Sequence, residues 1–402
     1  MAGGSQSQSA DGDAVTAMPL GAEELVARAQ EHAKLDDWGE PPFRDALDIL
    51  CRSFVAESGA TPEQTAIFKA QLLALLVKRL RFYADRATHP EIAAQRIETP
   101  LFVIGFPRSG TTILHALLAS DPRARSPLSW ELAEPSPPPR SDTFTSDPRI
   151  ARQQAAIEML PATFRAMHAM GATLPDECNA IMQLAFRSLN FAASRPLPSY
   201  QGWLLETDMA PAFSVHRHML QHLQAFAPRD NWVLKAPPHL FHLDALFAAY
   251  RDARIVFTHR DPASIMASNA SLISFLHEMT GNAVDKKKLG SDETAKWKLG
   301  MDRTMRFRDA HPQLADRFVD VQYADLIRDP LALVEVVYDH FGFATDADAI
   351  SAMKGFIAAN RQGKHGAHHY TAEEFGLSRA GLHESFADYI ERYSVALAGE
   401  AG

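Results

Sequence analysis

Different hydrophobic patterns follow one another along the 402-residue chain, and they predict different elements. In the first hundred residues apolar positions recur at helical spacing over 22–34, 43–57 and 62–86, and in the last of these Phe68, Leu72, Leu75, Leu76 and Leu80 share a face. From Pro100 onward the pattern switches to short, nearly unbroken apolar runs at 101–104, 232–234, 254–258 and 318–321, separated by helical segments such as 240–250 and 330–341. An apolar run without polar alternation suits a strand buried on both faces. Strands alternating with helices predict βαβ units, and therefore an α/β fold with a central parallel sheet. Residues 150–225 read as a helical insertion holding Met159, Phe164, Phe186, Tyr200, Trp203 and Phe213. Two readings stay open for it: a cap over a ligand site at the carboxyl ends of the strands, or plain helical core.

Residues 1–20 are small and polar and are expected to form a disordered tail; they lack the basic and apolar regions of a secretory signal. The expected division is then a tail, a helical region over 21–95 and an α/β domain over 96–395. No run approaches the ~18 apolar residues of a membrane-spanning helix, so a cytoplasmic location is expected. A composition 46% hydrophobic and 22% charged supports a large core, while a net charge of −9 argues against a nucleic-acid binder. An anion site in such a chain must be local. Cys51 and Cys178 stand far apart without zinc-ligand spacing and read as buried thiols.

The most informative stretch is "PLFVIGFPRSGTTIL", in which a strand, a tight turn and a helix start succeed one another. Unpaired N–H groups and the dipole at a helix N-terminus favour an anion there. Against the triphosphate loop GxxxxGK[ST], the segment Gly105-Phe-Pro-Arg-Ser-Gly110-Thr111-Thr112 keeps both glycines and the final Thr but has Thr111 where the lysine belongs. The cation stands three residues upstream, at Arg108. Downstream, "ARIVFTHRDPASIMASNAS" reads as a strand ending at Arg260, a turn at Asp261-Pro262, and a helix carrying Ser268 eight residues after Arg260. The guanidinium fork suits a phosphate. A third segment, "RQGKHGAHHY", contains Arg361-x-Gly363-x-x-Gly366.

These three motifs, in this order, resemble those of sulfotransferases that use 3′-phosphoadenosine 5′-phosphosulfate (PAPS). With "WELAEPSPPP" and "WVLKAPPHLFHLDAL" they are similar to the bacterial-type subfamily called Sulfotransfer_3, and the resemblance runs from about residue 35 to 393. It implies a P-loop-like three-layer fold with a helical N-terminal region and a substrate cap. It also implies a 5′-phosphosulfate loop of Arg108, Ser109, Gly110, Thr111 and Thr112, a 3′-phosphate site of Arg260 and Ser268, and a closing loop of Arg361 and Gly363. Where the family's closing loop has a later lysine, this chain has His369. The product would be 3′,5′-adenosine bisphosphate, with no metal required; His365, His368 and His369 lack the company of a metal site. The acceptor would be a hydroxylated (or amine-bearing) small molecule, lipid or glycan.

Sulfuryl transfer needs an in-line acceptor oxygen, stabilisation of the transferred group's charge, and a base for the acceptor proton. Lys235, closing the run "NWVLK", is the candidate for charge stabilisation. For the base, Glu131 in "SWELAEP" lies 23 residues beyond Arg108, where family members with a carboxylate base carry theirs; His239 and His115 are rivals and Glu134 a backup. Two other functions compete with this one: a P-loop nucleotide kinase or hydrolase, disfavoured by the missing lysine, and a non-catalytic nucleotide-binding protein, disfavoured by the intact Arg108, Arg260 and Ser268.

Overall fold

The computed structural model describes residues 20–167, 170–360 and 370–398, without the side chains of residues 166 and 167. Five strands form one parallel sheet: β1 (Leu101–Gly105), β2 (Ala124–Arg125), β3 (Asn231–Lys235), β4 (Arg254–His259) and β5 (Phe318–Gln322), in the order β2-β3-β1-β4-β5. The four apolar runs supply β1, β3, β4 and β5. The two-residue β2 left no hydrophobic signal, because a strand this short has no periodicity to display.

Successive side chains of a strand point to opposite faces, and the core divides accordingly. Leu101, Val103, Val233, Val256, Val319 and Val321 pack under the helices Thr111–Ala119 and Pro330–Phe341. Phe102, Ile104, Trp232, Leu234, Ile255 and Phe257 face the larger cluster on the other side. That cluster takes in Phe68, Leu72, Leu76 and Leu80 of the helix Pro62–Thr88, so the N-terminal helices share one core with the sheet. Arg79 of this helix, wholly buried, donates to the carbonyls of Trp38, Pro41 and Leu184 and ties the N-terminal region to the insertion.

The insertion is helical, from Pro148–Glu158 to Ala210–Gln224. Much of it is core rather than cap: Phe186, Tyr200 and Phe213 are all within 1% of full burial. Its exposed side is represented by Met159, 87% exposed, and by the segment leading to Glu177. Residues 240–250, expected as one helix, split into a 3-10 turn at Pro237–Phe241 and a helix at Leu243–Ala249. Two prolines fit the first positions of the turn, where their missing N–H groups have no partner to lose, and the break falls at His242, which leaves helical geometry.

Candidate active site

β1, β3 and β4 end side by side, with Val103 opposite Lys235 and Gly105 opposite Thr258. Ligands of open parallel sheets bind beyond such carboxyl ends, and here the ends meet a cleft of about 390 Å³ lined by Arg108, Thr112, Glu177, Arg260, Ser268 and Tyr323, among others.

The loop after β1 is shaped by its glycines. Gly105 sits at φ 147°, where a Cβ would collide with Thr258 Oγ1. Gly110 has φ 90° and Arg108, unusually for a non-glycine, φ 67°. Left-handed residues at such short spacing turn successive N–H groups toward one concavity, a nest for an anion. The helix Thr111–Ala119 begins directly after it, and its first N–H groups have no acceptor within the helix.

Arg108 and the β4 motif converge. The Arg108 Nε donates to Ser268 Oγ at 3.3 Å, and the Arg260 guanidinium donates to the Arg108 carbonyl at 2.6 Å. The Arg260 Cζ lies 3.9 Å from the ring centre of Tyr323, a cation–π contact that helps fix the guanidinium. Behind it, the backbone N–H of Arg260 donates to Tyr389 Oη at 3.2 Å, and the Asp261 carboxylate accepts from Ala263 N, Ala398 N and His383 Nε2. The last turns of the chain thus buttress the end of β4.

At the end of β3, Lys235 is 2% exposed and lies just beneath the cleft wall. Its Nζ donates to Thr112 Oγ1 at 3.3 Å and forms a close ion pair with Glu177 Oε1. The ammonium therefore bridges the anion loop and a carboxylate that lines the cleft. Glu177 is the N-cap of the helix Cys178–Met182 but does not spend its side chain on capping; its Oε2 accepts from Asn179 Nδ2 at 3.3 Å.

Several sequence-based assignments change. Ser109 is fully buried; its hydroxyl donates to Phe106 O and meets Thr258 Oγ1 at 2.6 Å, and its N–H also bonds Phe106 O, so it builds the loop instead of lining it. Glu131 is fully buried and held by the Arg125 guanidinium at 2.5 and 2.9 Å, with Leu128 N as a third donor. Its carboxylate is thus enclosed by Arg125 and is not among the residues that line the cleft. Glu134 pairs with Arg152 at the surface, at 2.9 Å. His239 packs among Phe102, Phe213 and His216, 2% exposed, and burial pushes its pKa well below the ordinary imidazole value. His115 contacts Val233 O at 3.2 Å, and burial lowers its pKa to about 3. Neither histidine lines the cleft. Arg361 and Gly363 lie outside the described residues.

The sequence reading missed Glu177, Tyr323 and Tyr370, which line the cleft. Glu177 stands 69 residues from Arg108, so no motif spacing joins them. The one local signal is an acid that follows Pro175-Asp176 and stands directly before the start of a helix. Among the described residues no cluster of histidine, cysteine and carboxylates suited to a metal is found, and no helix is long and apolar enough to cross a membrane.

Comparison with known proteins agrees with this geometry. Residues 100–347 match the model of the sulfotransferase family. The chain is 26% identical over 307 residues to the omega-hydroxy-beta-dihydromenaquinone-9 sulfotransferase Stf3 of Mycobacterium tuberculosis, covering 74% of this chain and 75% of that one. Among solved structures it resembles the sulfotransferase STF1 of Mycobacterium tuberculosis, with 33% identity, a TM-score of 0.79, and coverage of 91% of this chain and 98% of that one. It also resembles STF9 of Mycobacterium avium, with 27% identity, a TM-score of 0.86, and coverage of 97% and 100%.

Proposed function

The chain belongs to the sulfotransferase family, and we propose that it takes its sulfuryl group from PAPS and passes it to the hydroxyl of an acceptor with an apolar body. The observation that carries the choice of PAPS is the convergence of Arg108, Arg260 and Ser268 on one cleft. Two guanidinium groups and a hydroxyl at a helix-start nest suit a nucleotide with phosphates at both its 5′ and 3′ positions. The absence of a lysine at position 111 speaks against a triphosphate.

PAPS supplies a sulfuryl group on a phosphate that can leave as an anion. Arg108 and the N–H groups at Thr111 and Thr112 hold the 5′-phosphate, and Arg260 with Ser268 holds the 3′-phosphate. Lys235 stabilises charge on the oxygens in transfer, since its Nζ already touches the loop through Thr112. Glu177 is the base. It is the carboxylate that borders both Lys235 and the cleft. As the acceptor oxygen bonds to sulfur and the sulfur–phosphate oxygen bond breaks, the acceptor proton passes to Glu177. The Stf3 relative acts on a hydroxylated menaquinone, which supports an alcohol acceptor with an apolar body here.

Calorimetry with 3′,5′-adenosine bisphosphate against ATP·Mg²⁺ tests the nucleotide assignment. Binding of the bisphosphate is expected, weakened by Arg260→Ala by about 1.5–3 kcal/mol for the lost charged hydrogen bonds, with adenosine 5′-phosphate nearly unaffected. Binding of ATP alone, or equal weakening of both ligands, would overturn it.

A further inference from the structure

A second cavity, of about 340 Å³, is lined by neighbours of residues that line the active-site cleft, although the two have no lining residue in common. The two share supporting elements. The helix Thr111–Ala119 gives Thr112 and Ile113 to the cleft and Ala116, Ala119 and Ser120 to the cavity, while the segment 173–177 gives Glu177 to the cleft and Leu174 and Pro175 to the cavity. Positions 112, 116, 119 and 120 fall on one helix face, and none is fully buried. Two large apolar side chains lie exposed beside this path, Ile113 at 44% and Leu174 at 37%.

The cavity contains polar residues: Arg229 lies over the Phe144 ring at 5.9 Å and donates to Pro228 O, Thr173 also lines it, and most of the others make their hydrogen bonds within the protein. Asp121 accepts from Arg123 and from Tyr338 Oη, Arg125 is paired with Glu131, and the hydroxyls of Ser120, Ser126 and Ser141 donate to the carbonyls of Leu117, Val233 and Phe226. The Arg125 guanidinium is flanked by the rings of Phe144 and Trp232, each at 5.1 Å. The large surfaces such walls offer a ligand are apolar, those of Phe144, Leu174 and Phe356, with Arg229 and Thr173 as polar lining.

From these shared supporting elements and the exposed Ile113 and Leu174 beside them, we propose that the cavity is the tail subsite of the acceptor. The substrate class is then an alcohol with a long, unbranched apolar chain, its hydroxyl at Glu177 and its chain running along the helix Thr111–Ala119 past Ile113 and Leu174 to Phe144. From Thr112 to Ser120 the helix rises about 12 Å, which sets the chain length the groove rewards. This inference rests on the acceptor side of the function proposed above. Acceptors without such a chain would engage only the cleft and gain nothing from this groove.

The test is direct binding of butanol, octanol and dodecanol, by calorimetry, to the protein saturated with 3′,5′-adenosine bisphosphate. Each buried methylene should tighten binding about fourfold until the groove is filled. Ala116→Trp, on the half-exposed helix face, should flatten this dependence, and Leu174→Asp should weaken the longer chains more than butanol. Retained bisphosphate binding shows that each variant is folded. Affinity independent of chain length, or a length dependence that both substitutions leave intact, would overturn the tail subsite. A length dependence that the variants abolish, in an enzyme that transfers no sulfuryl group to any of the three alcohols, would sustain the groove while counting against the proposed acceptor chemistry.

Discussion

At the end of β4 the groups assigned to the nucleotide, Arg260 and Ser268, lie within nine positions of each other, on one strand end and the helix that follows. At the end of β3 the groups assigned to the acceptor, Lys235 and Glu177, are 58 residues apart and meet only because the insertion folds back onto the sheet. The first arrangement is set by local geometry and buttressed by the Ala398 N–H, which donates to Asp261, and by the Tyr389 hydroxyl, which accepts from the Arg260 N–H. The second depends on the packing of a separate helical region, anchored through contacts such as those of Arg79 to Leu184. A binding function common to a family can be fixed by a short motif. A chemistry that must fit different acceptors is built where the scaffold can vary without disturbing that motif.

The largest effect expected from breaking this division is at Glu177. Glu177→Gln keeps the shape and removes the base, so kcat should fall by about 10²–10⁴, while bisphosphate affinity stays within a few-fold of the parent. Steady-state kinetics and calorimetry on the same preparation read both quantities. Equal losses in turnover and nucleotide affinity would mean that the halves are not separable, and unchanged turnover would remove Glu177 from the chemistry.

Next comes the carboxylate that the sequence points to instead. Glu131 neutralises Arg125 inside the protein, at 0% and 3% exposure of the two residues. Removing one partner of a buried pair leaves an uncompensated charge, a loss of about 3–5 kcal/mol. Urea unfolding of Glu131→Gln should show a destabilisation of that order, and the kcat of the folded fraction should change only a few-fold. A variant as stable as the parent but inactive would restore Glu131 as the base.

The contrast between these two acids explains what was readable in the chain. The strands β1, β3 and β4 were legible because each holds a run of apolar residues buried on both faces, β5 because Phe318, Val319 and Val321 are buried around an exposed Asp320, and the phosphate loop because glycine, proline and a helix start leave local marks. Arg108, Arg260 and Ser268 inherit their positions from those marks. Glu131 attracted attention through its place in a family pattern, but sequence position alone could not reveal that Arg125, six residues earlier, would enclose it. The same holds for the hydroxyl of Ser109: in an anion loop it reads as a donor to the anion, and only the packing shows it bonded to Phe106 O and against Thr258. Glu177 had no mark at all beyond an acid before an apolar helix, since its role is created by a contact across 58 residues.

The smallest effect concerns the histidines behind the acceptor half. His239, His216 and His115 are buried near β3 and β1, and burial lowers all three pKa values, to about 3 for His115 and His216. On the nucleotide side, His259 is also buried but bonds Asp320 Oδ1 at 2.8 Å, which opposes the effect of burial on its pKa. A group whose folded pKa lies below its unfolded value contributes its stability fully above the unfolded value, near 6.5, and loses it as pH falls. Each histidine kept neutral by the fold should therefore cost about 1.4 kcal/mol between roughly pH 7.5 and 5.5. His239 has no partner for its Nε2 among the described residues, so His239→Leu removes the titrating group without breaking a hydrogen bond at that nitrogen. Its urea stability should fall less than the parent's over this range, by about that amount. His259→Leu should flatten the acid dependence less, because in the parent Asp320 already favours the protonated ring and leaves a smaller shift to remove. If the two substitutions flatten the curve equally, the acid sensitivity does not distinguish the acceptor half from the nucleotide half, and the difference in their construction has no thermodynamic counterpart.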